Sequence, residues 1–309
     1  MPVYHRKATI PEGRFDPEDG TLAVRLFQAV EPSSSRAILG FACEAGVQRN
    51  KGRIGAKEGP TAIRGAFYNL PCPRGFEPIK DLGDIVVDGD DLEAGQRALG
   101  ATVKESLTTN SKTIVFGGGH ETAFGSYMGL REAFPAKSIG IINLDAHLDL
   151  RNVGDAGASS GTPFNQIRGL DPENFDYLCI GVARESNTQA LFERAEEWGV
   201  RIIFDSELIK GGSPAAFKEI DAMASRVDII YLSIDIDLLP HYQAPGVSAP
   251  AIRGVAFSTV EEIVAYINSA CIQHSTNMPL ADFVEVSPPY DVNNMTAKSA
   301  AILARRLLS

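Results

Sequence analysis

The sequence lacks the features that mark secreted and membrane-spanning proteins. Its four cysteines are widely spaced and form no Cys-x-x-Cys pair, so no disulfide framework is expected. Residues 1–20 contain charged residues and prolines but no apolar stretch of the signal-peptide type. No run approaches the roughly 20 apolar residues of a membrane span. These absences predict a cytoplasmic protein that does not contact a membrane.

An excess of basic residues is also missing. The chain has 29 Lys and Arg against 39 Asp and Glu, a formal net charge of −10. This balance argues against a general binder of nucleic acid or of acidic membranes, which usually carries a basic face. It does not exclude a small anionic substrate, because a pocket can be locally basic on an acidic protein.

What the sequence does contain is a regular alternation of elements. The apolar fraction of 44% over 309 residues is enough for a substantial core. Short β-branched segments alternate with helical patterns, which predicts a parallel sheet covered by helices on both faces. Residues 1–35 are polar and irregular, and the first core strand is predicted at 36–42. Neither an internal repeat nor a linker interrupts the chain, so residues 1–309 are predicted to form a single domain.

Three of the predicted strands end in residues that bind metals. Because parallel strands present their carboxyl ends at one edge of a sheet, these side chains are expected to converge. One such motif alone is more often a polar loop, but its recurrence at three strand ends favours a metal site. The segments are 139–144 with Asp145, His147 and Asp149; 229–234 with Asp235 and Asp237; and 114–116 with His120.

The ligand count indicates more than one metal ion. Four carboxylates and two imidazoles exceed the three protein ligands of a catalytic zinc. They fit two metals roughly 3.5–4 Å apart that share bridging carboxylates. The oxygen-rich set favours Mn²⁺, with Zn²⁺, Fe²⁺ or Co²⁺ as substitutes. Such a pair lowers the pKa of a shared water, which predicts hydrolysis at a polarised carbon or phosphorus centre.

The motifs Gly-Gly-Gly-His, Asp-Ala-His-Leu-Asp, Ser-Ile-Asp-Ile-Asp and Glu-Val-Ser-Pro occur in this order. This set resembles the ureohydrolase superfamily of arginases and agmatinases, from about residue 41 to residue 308. The resemblance implies an arginase-like three-layer α/β/α fold with a mainly parallel eight-stranded sheet. It also implies two Mn²⁺ per chain and hydrolysis of a C–N bond at a guanidine or amidine carbon. A homo-oligomer is plausible on the same ground.

The resemblance also implies roles for individual residues. Glu285 would face the cationic guanidinium or amidinium of the substrate. Arginases and agmatinases carry a proton-shuttling histidine where this chain has Ser160, so either Asp149 or solvent would carry the leaving-group proton. The metal ligands would divide as His120 and Asp149 on one ion, His147 and Asp237 on the other, and Asp145 and Asp235 between them.

Within the superfamily, segments 49–56, 119–125, 159–164 and 244–250 resemble the branch that hydrolyses N-formimidoyl-L-glutamate to L-glutamate and formamide during histidine degradation. In that reaction a metal-bridging hydroxide would attack the amidine carbon. An agmatinase or guanidino-acid hydrolase that releases urea is the alternative. A catalytically inactive relative that binds metal or ligand as a regulator is a further one, although the complete ligand set argues against it.

An amidine substrate with two carboxylates needs basic or amide groups near the metals. Arg184 follows the predicted strand 176–182, at a position where arginases place an acidic residue. Arg49 and Arg53 lie in a glycine-rich loop after the first strand, and Asn187 could act as a neutral donor. We predict that Arg184, with Arg53 or Arg49, binds the carboxylates; solvated loop charges are the alternative interpretation.

Overall fold

The computed structural model describes residues 2–309, and within them the chain forms nine β-strands. Most are short segments of Ile, Leu and Val, which suit strands buried on both faces of a sheet. The strands are β1 (Val3–Arg6), β2 (Arg36–Ala42), β3 (Lys80–Val87), β4 (Lys112–Phe116), β5 (Ile139–Leu144), β6 (Asp176–Val182), β7 (Arg201–Phe204), β8 (Ile229–Asp235) and β9 (Asn277–Val284).

Ten α-helices lie in the same described residues, and most of them connect consecutive strands. A proline stands in the first turn of α2, α5 and α8, where its missing N–H leaves no hydrogen bond unmade. Across residues 2–309, no helix is long and apolar enough to cross a membrane. The helices are α1 (Ala45–Arg49), α2 (Gly59–Tyr68), α3 (Leu92–Thr109), α4 (Thr122–Ala133), α5 (Pro163–Leu170), α6 (Gln189–Glu197), α7 (Asp205–Gly211), α8 (Pro214–Ala224), α9 (Phe257–His274) and α10 (Met295–Leu307).

The strands form one sheet in the order β1-β3-β2-β4-β9-β8-β5-β6-β7. Strands β2 to β9 run parallel to their neighbours, which confirms the predicted α/β class and its parallel sheet of eight strands. The remaining strand, β1, pairs antiparallel with β3 and lies within residues 1–35, the segment predicted to be irregular. The prediction missed it because a four-residue edge strand with mostly exposed side chains contains no apolar run.

Side chains alternate between the two faces of the sheet and so build two cores. Successive residues of a strand point to opposite sides. In β2, Ile38 packs with α2, α9 and α10 on one face, whereas Leu39 packs with α3 and α4 on the other. In β5, Ile142 and Ile141 divide in the same way. The helices therefore cover both faces, as the predicted three-layer arrangement requires.

The sheet order brings the ligand-bearing strands together. β4, β9, β8 and β5 are consecutive neighbours at the centre of the sheet, although they are far apart in the sequence. Because all four run parallel, their carboxyl ends open at the same edge. The residues that follow them therefore meet in space, in the location typical of ligand sites in open α/β sheets.

Candidate metal centre and its cavity

Six predicted ligands lie at this edge of the sheet. Asp145 directly follows β5, and His147 and Asp149 continue the same loop. Asp235 is the last residue of β8, and Asp237 lies in the short 3-10 turn after it. His120 follows the three glycines at the end of β4. The structure thus brings the three motifs together.

His120 is the centre of the first group. Its Nδ1 atom lies 3.2 Å from Asp145 Oδ2, 3.0 Å from Asp149 Oδ2 and 3.1 Å from Asp235 Oδ2. The imidazole is buried, and its Nδ1 makes no hydrogen bond of acceptable geometry despite these short distances. Three carboxylate oxygens therefore surround this ring nitrogen.

A second group forms around His147. Its Nδ1 atom lies 3.4 Å from Asp145 Oδ1 and 3.3 Å from Asp237 Oδ2. Asp145 thus directs one oxygen towards each histidine. One group of donor atoms comes from His120, Asp145 and Asp149, and the other comes from Asp145, His147 and Asp237. Within each group the donor atoms all lie within 4.8 Å of one another. Asp145 is the member that both groups share.

The electrostatics of the two groups favour a bound cation. Burial, followed by repulsion from Asp237 and Asp145, raises the pKa of Asp235 well above its ordinary value. Burial also raises the pKa of Asp237 to about 6, with the charge of Asp145 contributing. Asp237 Oδ1 is buried and has no hydrogen-bond partner. Divalent metal ions fit this donor set, because they would compensate the crowded negative charge and use the unpaired atoms.

Two of the site residues adopt the left-handed backbone conformation, which is costly for residues other than glycine. Asp149 has φ 47° and Glu285, just after β9, has φ 65°. The Glu285 N–H donates to Gly118 O over 2.8 Å, and the His120 N–H donates to Glu285 Oε1 over 2.9 Å. These two bonds hold the glutamate against the loop that carries His120.

The glycine loop is held by contact with the end of β2. Gly119 N–H donates to Cys43 O over 3.1 Å. A Cβ atom on Gly118 would lie 1.8 Å from the same carbonyl oxygen, so no other residue fits there. Glu121 follows His120 and accepts a hydrogen bond from Gly46 N over 2.9 Å, which ties the start of α1 to this loop. The sequence predicts only a glycine-rich loop in this region, where the structure forms α1.

A cavity of about 340 Å³ opens above the ligands. Ser160, which stands where arginases have a histidine, lies in its wall. Asn187 also lines it and accepts from Leu148 N over 2.9 Å while donating to Ala146 O over 3.0 Å, so it braces the loop between Asp145 and Asp149. The lining consists of Asn50, Lys51, Gly52, Arg53, His147, Asp149, Arg151, Ser160, Ser186, Asn187, Leu191, Asp235, Asp237, Ser248, Ala249 and Glu285.

The structure places Arg184 and Arg49 outside the lining of this cavity. The Arg184 guanidinium lies 3.6 Å from the centre of the Phe204 ring, and Arg184 is not part of the cavity lining. A cation over an aromatic face has a favourable partner already. Arg49 forms an ion pair of 2.6 Å with Glu93 and donates to Ala158 O, so its charge is also engaged elsewhere.

Arg53 does line the cavity, as predicted, but its guanidinium is occupied. It donates to Val247 O over 2.5 Å and to Ser248 O over 3.0 Å, and it lies 4.1 Å from the Tyr290 ring centre. These contacts fix the loop around residue 53 against the loop around residue 248. Arg53 therefore contributes positive charge to the cavity from a rigid position.

Two cavity cations were missed. Lys51 and Arg151 both line the cavity, and within residues 2–309 neither side chain has a hydrogen-bond or carboxylate partner. Arg151 continues the every-second-residue pattern of Asp145, His147 and Asp149, a signal that could have identified it. Lys51 has φ 61° and stands between Arg49 and Arg53 in the sequence. No pattern in the sequence separates it from them.

Comparison with known proteins shows the family of this chain. The model of the arginase family matches residues 34–309. A formimidoylglutamase of Klebsiella pneumoniae subsp. pneumoniae is 41% identical over 309 residues, covering 96% of this chain and 95% of the relative. A formimidoylglutamase of Citrobacter koseri is 43% identical over 307 residues, covering 96% and 94%.

Solved structures show the same fold. Arginase from Bacillus subtilis superposes with a TM-score of 0.77 at 26% identity, over 88% of this chain and 98% of that chain. Trypanosoma cruzi formiminoglutamase with Mn²⁺₂ superposes with a TM-score of 0.79 at 25% identity, over 93% and 97%. Formimidoylglutamase from Bacillus subtilis gives a TM-score of 0.83 at 22% identity, over 97% and 94%.

The close approach of Gly118 to Cys43 generates a prediction. Gly118→Ala should lower the free energy of unfolding by about 1–3 kcal/mol or more. The added methyl group would overlap a backbone carbonyl that cannot rotate away. Calorimetric unfolding measures the effect. Gly154→Ala is the control, since a Cβ there meets nothing within 4 Å. A Gly118→Ala protein with the parental Tm would contradict the proposed fit of this loop.

Proposed function

The chain belongs to the arginase family, and from that premise we propose that it is a formimidoylglutamase. It hydrolyses the C–N bond of N-formimidoyl-L-glutamate and yields L-glutamate and formamide, a reaction of histidine degradation. Formimidoylglutamases that are 41% and 43% identical to nearly the whole chain support this activity. The free cysteines, three of them buried, suit a reducing cytoplasm.

We assign two Mn²⁺ ions to the centre. His120 and Asp149 would hold one ion, and His147 and Asp237 would hold the other. Asp145 and Asp235 would each bind both ions. The placement of one Asp145 oxygen towards each histidine supports this division. The oxygen-rich donor set suits Mn²⁺. Such ions, when bound, polarise the substrate and lower the pKa of water enough to supply a nucleophile at neutral pH.

Glu285 would orient the amidine. Its carboxylate borders the cavity, and the His120 N–H holds one oxygen in place. The amidinium of the substrate is cationic and planar, so it can pair with a carboxylate through charge-assisted hydrogen bonds. This pairing would place the amidine carbon next to the two ligand groups.

One feature of the cavity favours this substrate over agmatine and arginine. Lys51 and Arg151 are unpaired cations on the wall that also includes Glu285. They would attract the two carboxylates of formimidoylglutamate and repel the cationic tail of agmatine. Lys51 and Arg151, more than Arg184 and Arg49, would therefore bind the substrate carboxylates, because their charges make no other contact within residues 2–309.

The leaving nitrogen needs a proton when the C–N bond breaks. Ser160 lines the cavity and can donate a hydrogen bond, but a hydroxyl group cannot store a proton at neutral pH as imidazole does. Asp149 borders the same cavity, and its carboxyl group can accept a proton and pass it on. We therefore assign the transfer of a proton to the glutamate nitrogen to Asp149, with Ser160 as a hydrogen-bonding neighbour.

The activity is tested by a substrate panel. The protein loaded with Mn²⁺ should release formamide and glutamate from formimidoylglutamate, and little or no urea from agmatine, arginine or guanidinobutyrate. Urea release from a guanidine at a higher kcat/KM would select an agmatinase or guanidino-acid hydrolase instead. Absence of turnover on every substrate, with metal bound, would select an inactive relative.

The shared ligands generate a prediction about metal content. Asp145→Ala and Asp235→Ala should each weaken both Mn²⁺ sites and lower kcat by several orders of magnitude, because a bridging carboxylate is lost. Elemental analysis after dialysis measures the bound metal. Asp155→Ala, an exposed aspartate in the neighbouring loop, is the control and should keep the parental content. A fully active parent with one Mn²⁺ per chain would contradict the binuclear assignment.

The unpaired cations generate a prediction about substrate binding. Arg151→Ala and Lys51→Ala should each raise KM for formimidoylglutamate roughly 10- to 100-fold, since a hydrogen bond to a charged group contributes about 1.5–3 kcal/mol. Arg151→Glu should be worse, because it adds repulsion.

Arg184→Ala is the matched control for these variants. It removes the same charge from outside the cavity and should keep the parental KM. If Arg184→Ala raises KM while Arg151→Ala and Lys51→Ala leave it unchanged, the substrate carboxylates bind near Arg184 and not near Lys51 and Arg151.

A further inference from the structure

A chain of buried polar side chains lies behind His120, on the side away from the cavity. His120 Nε2 lies 3.0 Å from Ser233 Oγ, and Ser233 Oγ lies 2.6 Å from Asp282 Oδ1. The Tyr231 hydroxyl bonds to the other oxygen, Asp282 Oδ2. Ser233, Asp282 and Tyr231 are completely buried. A carboxylate in the middle of a sheet is costly unless its neighbours satisfy it.

The sheet register creates this chain. Ser233 on β8 and Asp282 on β9 are direct partners across the strands, and Tyr231 precedes Ser233 by two residues on the same face. The side chains are satisfied by each other and by His120, and the Tyr231 hydroxyl also lies 3.4 Å from Ala123 O. The arrangement therefore depends on the two central strands and not on a mobile loop.

The direction of the hydrogen bonds follows from what each group can donate. The Tyr231 hydroxyl and Ser233 Oγ both donate to Asp282, and Ser233 has a single hydroxyl hydrogen. That hydrogen points to Asp282 Oδ1, so Ser233 Oγ accepts from His120 Nε2–H. The ring proton is then on Nε2. In the neutral ring Nδ1 would then carry the lone pair, and this atom faces carboxylate oxygens at 3.0–3.2 Å.

We propose that Asp282, acting through Ser233, is a positioning residue that holds His120 in the tautomer and orientation needed to bind a metal ion. This inference depends on the proposed metal centre. Groups that hydrogen-bond to a metal-bound imidazole commonly control metal affinity. His147 is about a quarter exposed, and within residues 2–309 its ring has no comparable hydroxyl partner, so the two ion positions should respond differently.

Titration of metal-free protein with Mn²⁺ tests the inference. Ser233→Ala should weaken binding of one of the two ions roughly 10- to 100-fold and leave the other near its parental affinity. Calorimetry measures the two affinities. Electron paramagnetic resonance should show a mononuclear Mn²⁺ signal where the parent shows a coupled pair, which a general loss of stability would not produce.

Asp282→Asn provides a second variant that keeps the side-chain volume. Its amide can donate to Ser233 Oγ, which would turn the serine hydrogen towards His120 and favour the wrong tautomer. The same ion should be weakened. Ser233→Thr keeps the hydroxyl and should bind both ions more tightly than Ser233→Ala.

Ser106→Ala is the matched control. Ser106 is also a buried serine, bonded to Thr113 Oγ1 over 2.7 Å between α3 and β4, and its loss should change neither affinity. Parental binding of both ions by Ser233→Ala and Asp282→Asn would overturn the inference. Equal weakening of both ions would also overturn it. A His120→Ala variant that still binds both ions would instead show that the metal assignment itself is wrong.

Discussion

The structure depends on keeping four aspartates and two histidines close together with little access to water. Taking carboxylates out of water costs several kcal/mol for each group, and their mutual repulsion adds to that cost. The raised pKa values of Asp235 and Asp237 record both effects. Divalent cations would remove the penalty, whereas apolar packing alone would not. The centre is therefore best understood as a cation site in which the protein supplies an excess of negative charge.

The surrounding fold keeps these groups from moving apart. The central strands β4, β9, β8 and β5 deliver the ligands and Glu285 to one edge, and two hydrophobic cores hold the sheet on both faces. The left-handed conformations of Asp149 and Glu285 are held by the packed loops around them. Behind His120, the buried Asp282 continues the polar arrangement into the sheet, so the metal centre and the core are physically connected.

Recognition of an anionic substrate by this acidic chain depends on which cations are left unpaired. Most of the arginines discussed above are engaged: Arg49 with Glu93, Arg184 with an aromatic ring, and Arg53 with backbone carbonyls. Within residues 2–309, Lys51 and Arg151 have no such partners, and both line the cavity. A net charge of −10 is thus compatible with a locally basic opening, because a binding site is governed by the charges that face it.

The layered α/β class, the parallel strands and the positions of the six candidate ligands follow from the sequence alone. Apolar strands followed by Asp or His at every second residue are local patterns, and a parallel sheet necessarily collects them at one edge. Three features are visible only in the folded chain: which arginines line the cavity, the pairing of β1 with the sheet, and the position of Asp282 behind His120. Those features depend on contacts between residues distant in the chain, such as Arg184 with Phe204 and Ser233 with Asp282, which local sequence patterns do not encode.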